Sequence, residues 1–291
     1  MGYGKYSHED RTVRAMSAGF YTKSFTDIST QTKERKIHDS MNPKNIIFRE
    51  ACDSAEHPNV TPIQFYLDVT GSMGSVPNEM IKDGLPTLIG RLTQNGVSDV
   101  ALMFGAIGDH ECDQAPLQVA QFESGDKELD MWLTRVWLEG NGGGNYGESY
   151  LLAWYFAGHH VRTDAFDKRN KKGFVFTIGD EPCLQSIPMT ALKEIMGNTA
   201  TGQGTWKRED LLKKAQEYNH VYHIFLTHNG RRTVDQAWRD LLGQNLLVVA
   251  DHTEVSKTIS DIVLSHQDAV TSAPVVTSAP SAALEDIKIT L

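Results

Sequence analysis

The chain has 291 residues, 40% of them hydrophobic, and a formal net charge of -9, so it carries enough apolar material for a sizeable core. The acidic balance argues against nucleic acid or an anionic membrane surface as the main partner. No run of eighteen apolar residues marks a membrane span and no N-terminal apolar stretch marks a secretory signal, so a cytoplasmic protein is expected.

Residues 1–60 are polar with scattered aromatics and no sustained period, which predicts an irregular N-terminal extension that lies on the rest of the protein or reaches a neighbour. Residues 1–50 carry nine Lys or Arg against six Asp or Glu, a balance of +3, and the remainder therefore stands at -12. Over 61–267 short β-rich runs alternate with amphipathic stretches, the pattern of an α/β domain with a mostly parallel sheet. Strands are predicted at Ile63–Val69, Asp99–Ile107, Phe174–Ile178, Val221–Leu226 and Leu246–Ala250. The run PLQVAQF, up to Phe122, reads as an edge strand returning antiparallel to the one before it. Helices are predicted at Pro77–Thr93, Lys127–Leu138, Ser149–Val161, Arg208–Tyr218, Val234–Leu242 and Glu254–His266, with Pro86 kinking or interrupting the first. A short helix is expected near Met189–Met196, followed by a Gly/Thr-rich loop, GNTATGQGT, that looks mobile. Residues 268–291 repeat VTSAP at Val270–Pro274 and Val276–Pro280, the composition of a linker and tail.

Three cysteines, Cys52, Cys112 and Cys183, are odd in number and widely spaced, which favours free thiols over a disulfide framework. The most informative segment is IQFYLDVTGSMGS, a buried strand that ends in an acidic residue and opens into a Gly/Ser loop before a helix. In extended chain, residues i, i+2 and i+4 point the same way, so Asp68, Thr70 and Ser72 converge on one point. One carboxylate and two hydroxyls form an oxygen-only set that suits a hard divalent cation, Mg²⁺ or Mn²⁺. Asp68 lies at the end of its predicted strand and Asp180 just past the end of another, where ligands sit in open α/β sheets. Asp68 as a mere helix cap is the plainer alternative.

Strand–DxTxS–helix resembles the metal-ion-dependent adhesion site of von Willebrand factor A domains. The resemblance covers about 200 residues and implies an open, mostly parallel, doubly wound sheet with one antiparallel edge strand and helices on both faces. It also implies that two further loops complete the site. One is GNGGGNYGESY, where the family's threonine is replaced by Gly144 or Asn145, so that Asn145 or Glu148 is expected to take over as ligand or supporting group. The other is Gly179-Asp180-Glu181, where Asp180 matches the family's distal aspartate, which usually reaches the metal through water.

These features give an expected function of metal-dependent protein recognition without catalysis. A partner's Asp or Glu carboxylate would complete the coordination of the ion. Family resemblance places such proteins in multiprotein assemblies, often beside AAA+ ATPases of the MoxR type. A scaffold protein with a merely stabilising metal is the alternative from another class. A haloacid-dehalogenase-type phosphatase would fit Asp68 and Asp180 superficially, but it needs a second carboxylate where Thr70 stands. The match to GxGxxG at Gly142, Gly144 and Gly147 follows a helix-like run instead of a strand and is accidental. The segment Gly108–Gln114 groups Asp109, His110, Glu111, Cys112 and Asp113; a second metal is conceivable there, but an acidic hairpin loop is the favoured reading.

Overall fold

A computed structural model of the chain describes residues 6–17, 34–97, 99–140, 147–228 and 230–271. The central feature is a six-stranded sheet built from β2 (Thr61–Asp68), β3 (Val100–Ile107), β4 (Leu117–Val119), β6 (Gly173–Gly179), β9 (Asn219–Leu226) and β10 (Leu246–Val249). Its strand order is β10-β9-β6-β2-β3-β4. Every pair is parallel except β3–β4, which places the antiparallel strand at the edge, as PLQVAQF predicts. The protein is thus an open, mostly parallel α/β sheet with helices on both faces.

The two faces follow from the period-two alternation of the central strands. Ile63, Phe65 and Leu67 of β2 point into one core with Phe174, Phe176, Tyr222 and Ile224. That core is covered by α3 (Leu85–Gln94), α4 (Asp126–Leu133) and α10 (Val255–Thr271). Tyr66, Met103, Val175 and Val221 point the other way, into a core closed by α5 (Tyr150–His159), α7 (Met189–Met196), α8 (Arg208–Tyr218) and α9 (Gln236–Leu242). Helix α5 is apolar all round and nine of its ten residues are buried, which marks a helix wholly enclosed by its neighbours. The one buried amide of β2 is satisfied: Gln64 Nε2 donates to Asn219 Oδ1 at 3.2 Å and Gln64 Oε1 accepts from the Tyr66 hydroxyl at 3.0 Å.

Several elements differ from expectation. The single helix expected over Pro77–Thr93 is three pieces: α2 (Val76–Glu79), a π-helical turn (Met80–Gly84) and α3. Pro86 is the cause, because it has no N–H to offer the carbonyl four residues back, which falls inside the π turn. The predicted helix Lys127–Leu138 stops at Leu133 as α4. Within the segment expected to be irregular, α1 (His8–Ser17) forms and lies against α4. Its Arg11 Nε meets Asp130 at 2.8 Å, its Arg14 meets Asp126 at 2.5 Å, and Tyr6 donates to Pro86 O at 3.3 Å. Strand β1 (Arg49–Ala51) pairs in parallel with β5 (Val161–Thr163), outside the main sheet, and α6 (Asp164–Arg169) follows β5. The stretch GNTATGQGT carries a 3₁₀ turn at Gly197–Thr199 and leads into β8 (Thr205–Lys207), which pairs with β7 (Ser186–Pro188). No helix among the described residues is long and apolar enough to cross a membrane.

Candidate metal centre

Sheet register decides what meets at the carboxyl ends of the strands. Leu67 pairs with Ile178, so Asp68 at the end of β2 stands level with Gly179 at the end of β6 and beside Asp180. Beyond Asp68 the chain stays extended at Thr70 (φ -75°, ψ 169°) and then tightens into a 3₁₀ turn at Gly71–Met73. The Thr70 N–H donates to Asp68 Oδ1 at 2.9 Å, and its hydroxyl donates to the same oxygen at 2.6 Å. Thr70 Oγ1 lies 3.3 Å from Ser72 Oγ, and Ser72 Oγ donates to Asp180 Oδ1 at 2.8 Å. The spacing-based convergence of Asp68, Thr70 and Ser72 is therefore present, and Asp180 joins them.

These four oxygens form a chain with steps of 2.6, 3.3 and 2.8 Å. An octahedral Mg²⁺ bound at about 2.0–2.1 Å needs neighbouring donor oxygens about 3 Å apart, so the residues fit such an ion. Among the described residues no three His, Cys, Asp or Glu side chains gather in metal-binding geometry; half of the donors here are hydroxyls.

Glu148 approaches from a second direction. Gly147, at φ +126°, packs so closely on Pro182 that a Cβ would lie 2.5 Å from its carbonyl oxygen, a position open to glycine alone. That approach lets Glu148 N donate to Pro182 O at 2.8 Å while Leu184 N donates to Glu148 O at 3.1 Å. The Glu148 residue is 6% exposed and its Oε2 has no hydrogen-bond partner among the described residues. Glu148 does not hydrogen-bond to the four-oxygen chain. Asn145, the other expected contributor from this loop, lies outside the described residues.

Burial dominates the electrostatics. Asp68 is fully buried, and desolvation pushes its carboxyl up to about 7 despite the bonds from Thr70 and Tyr150, with the charge of Asp180 adding to the rise. Glu148 is pushed up to about 9 by burial and then by the charges of Asp68, Asp109 and Asp113. Several carboxylates are thus crowded where water cannot solvate them, an arrangement that a divalent cation relieves.

Three residues that sequence reasoning missed complete the surroundings. The Tyr150 hydroxyl donates to Asp68 Oδ2 at 2.6 Å, so both oxygens of Asp68 are held. It reaches there because Gly179 has no side chain: a Cβ at that position would overlap the tyrosine oxygen. Arg232 Nε and His228 Nε2 each lie 3.1 Å from Asp180 Oδ2. Tyr150 opens the helix directly after Glu148-Ser149, so its nearness to that loop is visible in the sequence but its contact with Asp68 is not. Nothing local marks His228 or Arg232, which come from the loop after β9.

The segment Gly108–Gln114 folds as an acidic loop whose carboxylates cap its own backbone. Asp113 Oδ2 accepts from Asp109 N at 2.7 Å, Asp109 Oδ1 accepts from Glu111 N at 3.0 Å, and Ser149 Oγ accepts from His110 N at 2.9 Å. Cys112 is exposed, and its thiol is pushed up to about 11, chiefly by its hydrogen bond to Asp109.

No known family model matches the sequence, and no curated protein matches it. Among solved structures, the chain is similar to the pilus adhesin SpaC from Lactobacillus rhamnosus GG in its open conformation, with a TM-score of 0.46 and 7% identity over 71% of this chain and 30% of the adhesin. It is also similar to proximal thread matrix protein 1 of the mussel byssus, with a TM-score of 0.45 and 13% identity over 74% of this chain and 48% of that protein. The chain therefore spans less than half of either structure, and neither likeness says what it does.

Proposed function

We propose that this chain is a von Willebrand factor A-type recognition protein. In this reading Asp68, Thr70, Ser72 and Asp180 would hold Mg²⁺ or Mn²⁺, which would offer an open coordination position to a carboxylate of a protein partner. The observation that carries the proposal is the chain of four oxygens from two strand-end loops, whose successive separations of 2.6, 3.3 and 2.8 Å are compatible with adjacent donors on an octahedral cation. The buried Glu148 Oε2, which has no hydrogen-bond partner among the described residues, supports the same reading. The chemistry supplied by the ion is Lewis acidity toward an oxygen anion. The chain's own residues orient the donors: Tyr150 fixes Asp68, and Arg232 with His228 fixes Asp180.

In this reading the role is binding, and a phosphatase of the aspartate-nucleophile type does not fit, because Thr70 stands where it needs its general acid. Work within a cytoplasmic multiprotein assembly, with an AAA+ ATPase of the MoxR type as a candidate neighbour, belongs to the same proposal. Affinity capture from native lysate tests it, using wild type and Asp68→Ala, each with Mg²⁺ and with EDTA. A protein retained only by the wild type with Mg²⁺ is the expected result. The same partners in all four conditions would refute the proposal and leave a scaffold whose contacts lie elsewhere.

A further inference from the structure

Asp180 is held from both sides. Its Oδ1 accepts from Ser72 at 2.8 Å, while its Oδ2 faces Arg232 Nε and His228 Nε2, each at 3.1 Å. The same guanidinium extends to the next residue, with Arg232 NH2 2.9 Å from Glu181 Oε1. One arginine therefore spans two consecutive carboxylates, and the side chain of Asp180 is wholly buried beneath it. The backbone places it there: Arg232 N donates to Thr227 O at 2.9 Å, and Thr227 N donates to Val249 O at 3.0 Å, which ties the loop after β9 to the end of β10.

A fixed cation beside the candidate ligands has a consequence for the ion. Asp68, Asp180 and Glu181 would together over-neutralise a divalent cation, and an over-neutralised ion has little attraction for a further anion. Arg232 takes up charge from the Asp180–Glu181 pair, and only Oδ1 of Asp180 is left facing the hydroxyls. We infer that Arg232 is a positioning residue that sets the charge of the centre: by offsetting one of these carboxylates it weakens the hold on the metal and leaves the bound ion less neutralised, and so more open to a partner's carboxylate, than it would be without the guanidinium. This rests on the metal-binding reading and specifies how the site favours an acidic ligand.

The test titrates Mn²⁺ into the full-length chain and then acetate into the Mn²⁺-loaded protein, following water proton relaxation. Wild type, Asp68→Ala, Arg232→Gln and Arg232→Lys are compared. Arg232→Gln should bind Mn²⁺ about tenfold more tightly, because a nearby positive charge has gone, and acetate should displace little of its coordinated water. Arg232→Lys, which keeps the charge, should stay near wild type in both. A variant that had merely damaged the loop would bind Mn²⁺ more weakly, so a fall or no change in affinity for Arg232→Gln overturns the inference. An undiminished acetate response in that variant overturns it too. Failure of the parent reading looks different: the wild type then takes up no Mn²⁺ that Asp68→Ala abolishes.

Discussion

Replacing Asp68 with Asn should have opposite effects with and without metal. Without a cation, the fully buried carboxyl has its pKa raised to about 7 from an unfolded value of about 3.9. A raised carboxyl destabilises the fold: the penalty is absent below the unfolded value, grows as pH rises between the two, and is complete above the folded one. Three units at about 1.36 kcal/mol each give an upper bound of about 4 kcal/mol; coupling to Glu148 brings the expectation to about 2–4 kcal/mol. Asparagine keeps the acceptor for the Thr70 N–H and hydroxyl and offers the Tyr150 oxygen an N–H instead. In EDTA at about pH 8 the variant should therefore melt about 4–16 °C above wild type, using about 2–4 °C per kcal/mol for a domain of this size. The difference should shrink toward zero near pH 4, where the carboxyl is protonated in both states. With Mg²⁺ at a hundred times its Kd, wild type should gain about 2.7 kcal/mol and the variant nothing. Differential scanning fluorimetry across these conditions decides the matter. If Asp68→Asn melts below wild type in EDTA at the higher pH, Asp68 is a structural cap and the reasoning fails.

Gly179→Ala should lower the melting temperature, by about 1–3 kcal/mol of overpacking, because the new methyl overlaps the Tyr150 hydroxyl and comes within 2.9 Å of Asp68 Oδ2; adding Tyr150→Phe should recover part of the loss in the same melt. His223 is fully buried, stacked on Trp238 at 3.7 Å, and burial lowers its pKa to about 3. Its neutral form is favoured by the fold, so its contribution is complete above about pH 6.5 and is lost as pH falls toward the folded value. Urea unfolding at about pH 7.5 and pH 5 should show His223→Phe losing about 2 kcal/mol less than wild type over that interval. Arg11→Ala with Arg14→Ala removes the ion pairs that join α1 to α4, and hydrogen exchange should show faster amide exchange over His8–Ser17 with little change in the central strands.

The parts of this molecule visible in the sequence are those whose signal is local. The strand ending in Asp68 announces itself by a buried run that meets a Gly/Ser loop, and β6 with Gly179–Asp180 does the same. The antiparallel edge strand was legible because turn residues separate it from β3. Three-residue strands such as β7 and β8 carry no period long enough to detect, and the six-residue α6 offers barely one and a half turns. Pro86 signals a break in the helix but not that a π turn absorbs it. In the candidate site, the i, i+2, i+4 rule finds Asp68, Thr70 and Ser72 because they lie within five residues of one another, although the chain is extended only as far as Thr70 and Ser72 sits in the 3₁₀ turn that turns its hydroxyl to Asp180. Tyr150, His228 and Arg232 reach the same place only through sheet register, the missing Cβ of Gly179 and the path of the loop after β9. Those are properties of the assembled fold.

The central claim is that Asp68, Thr70, Ser72 and Asp180 hold a divalent cation, and calorimetric titration of Mn²⁺ into the metal-free full-length chain tests it most directly. Wild type should bind one Mn²⁺ per chain, competed by Mg²⁺, and Asp68→Ala should bind none while keeping its circular dichroism spectrum. Equal binding by Asp68→Ala, or no binding by wild type, would contradict the account.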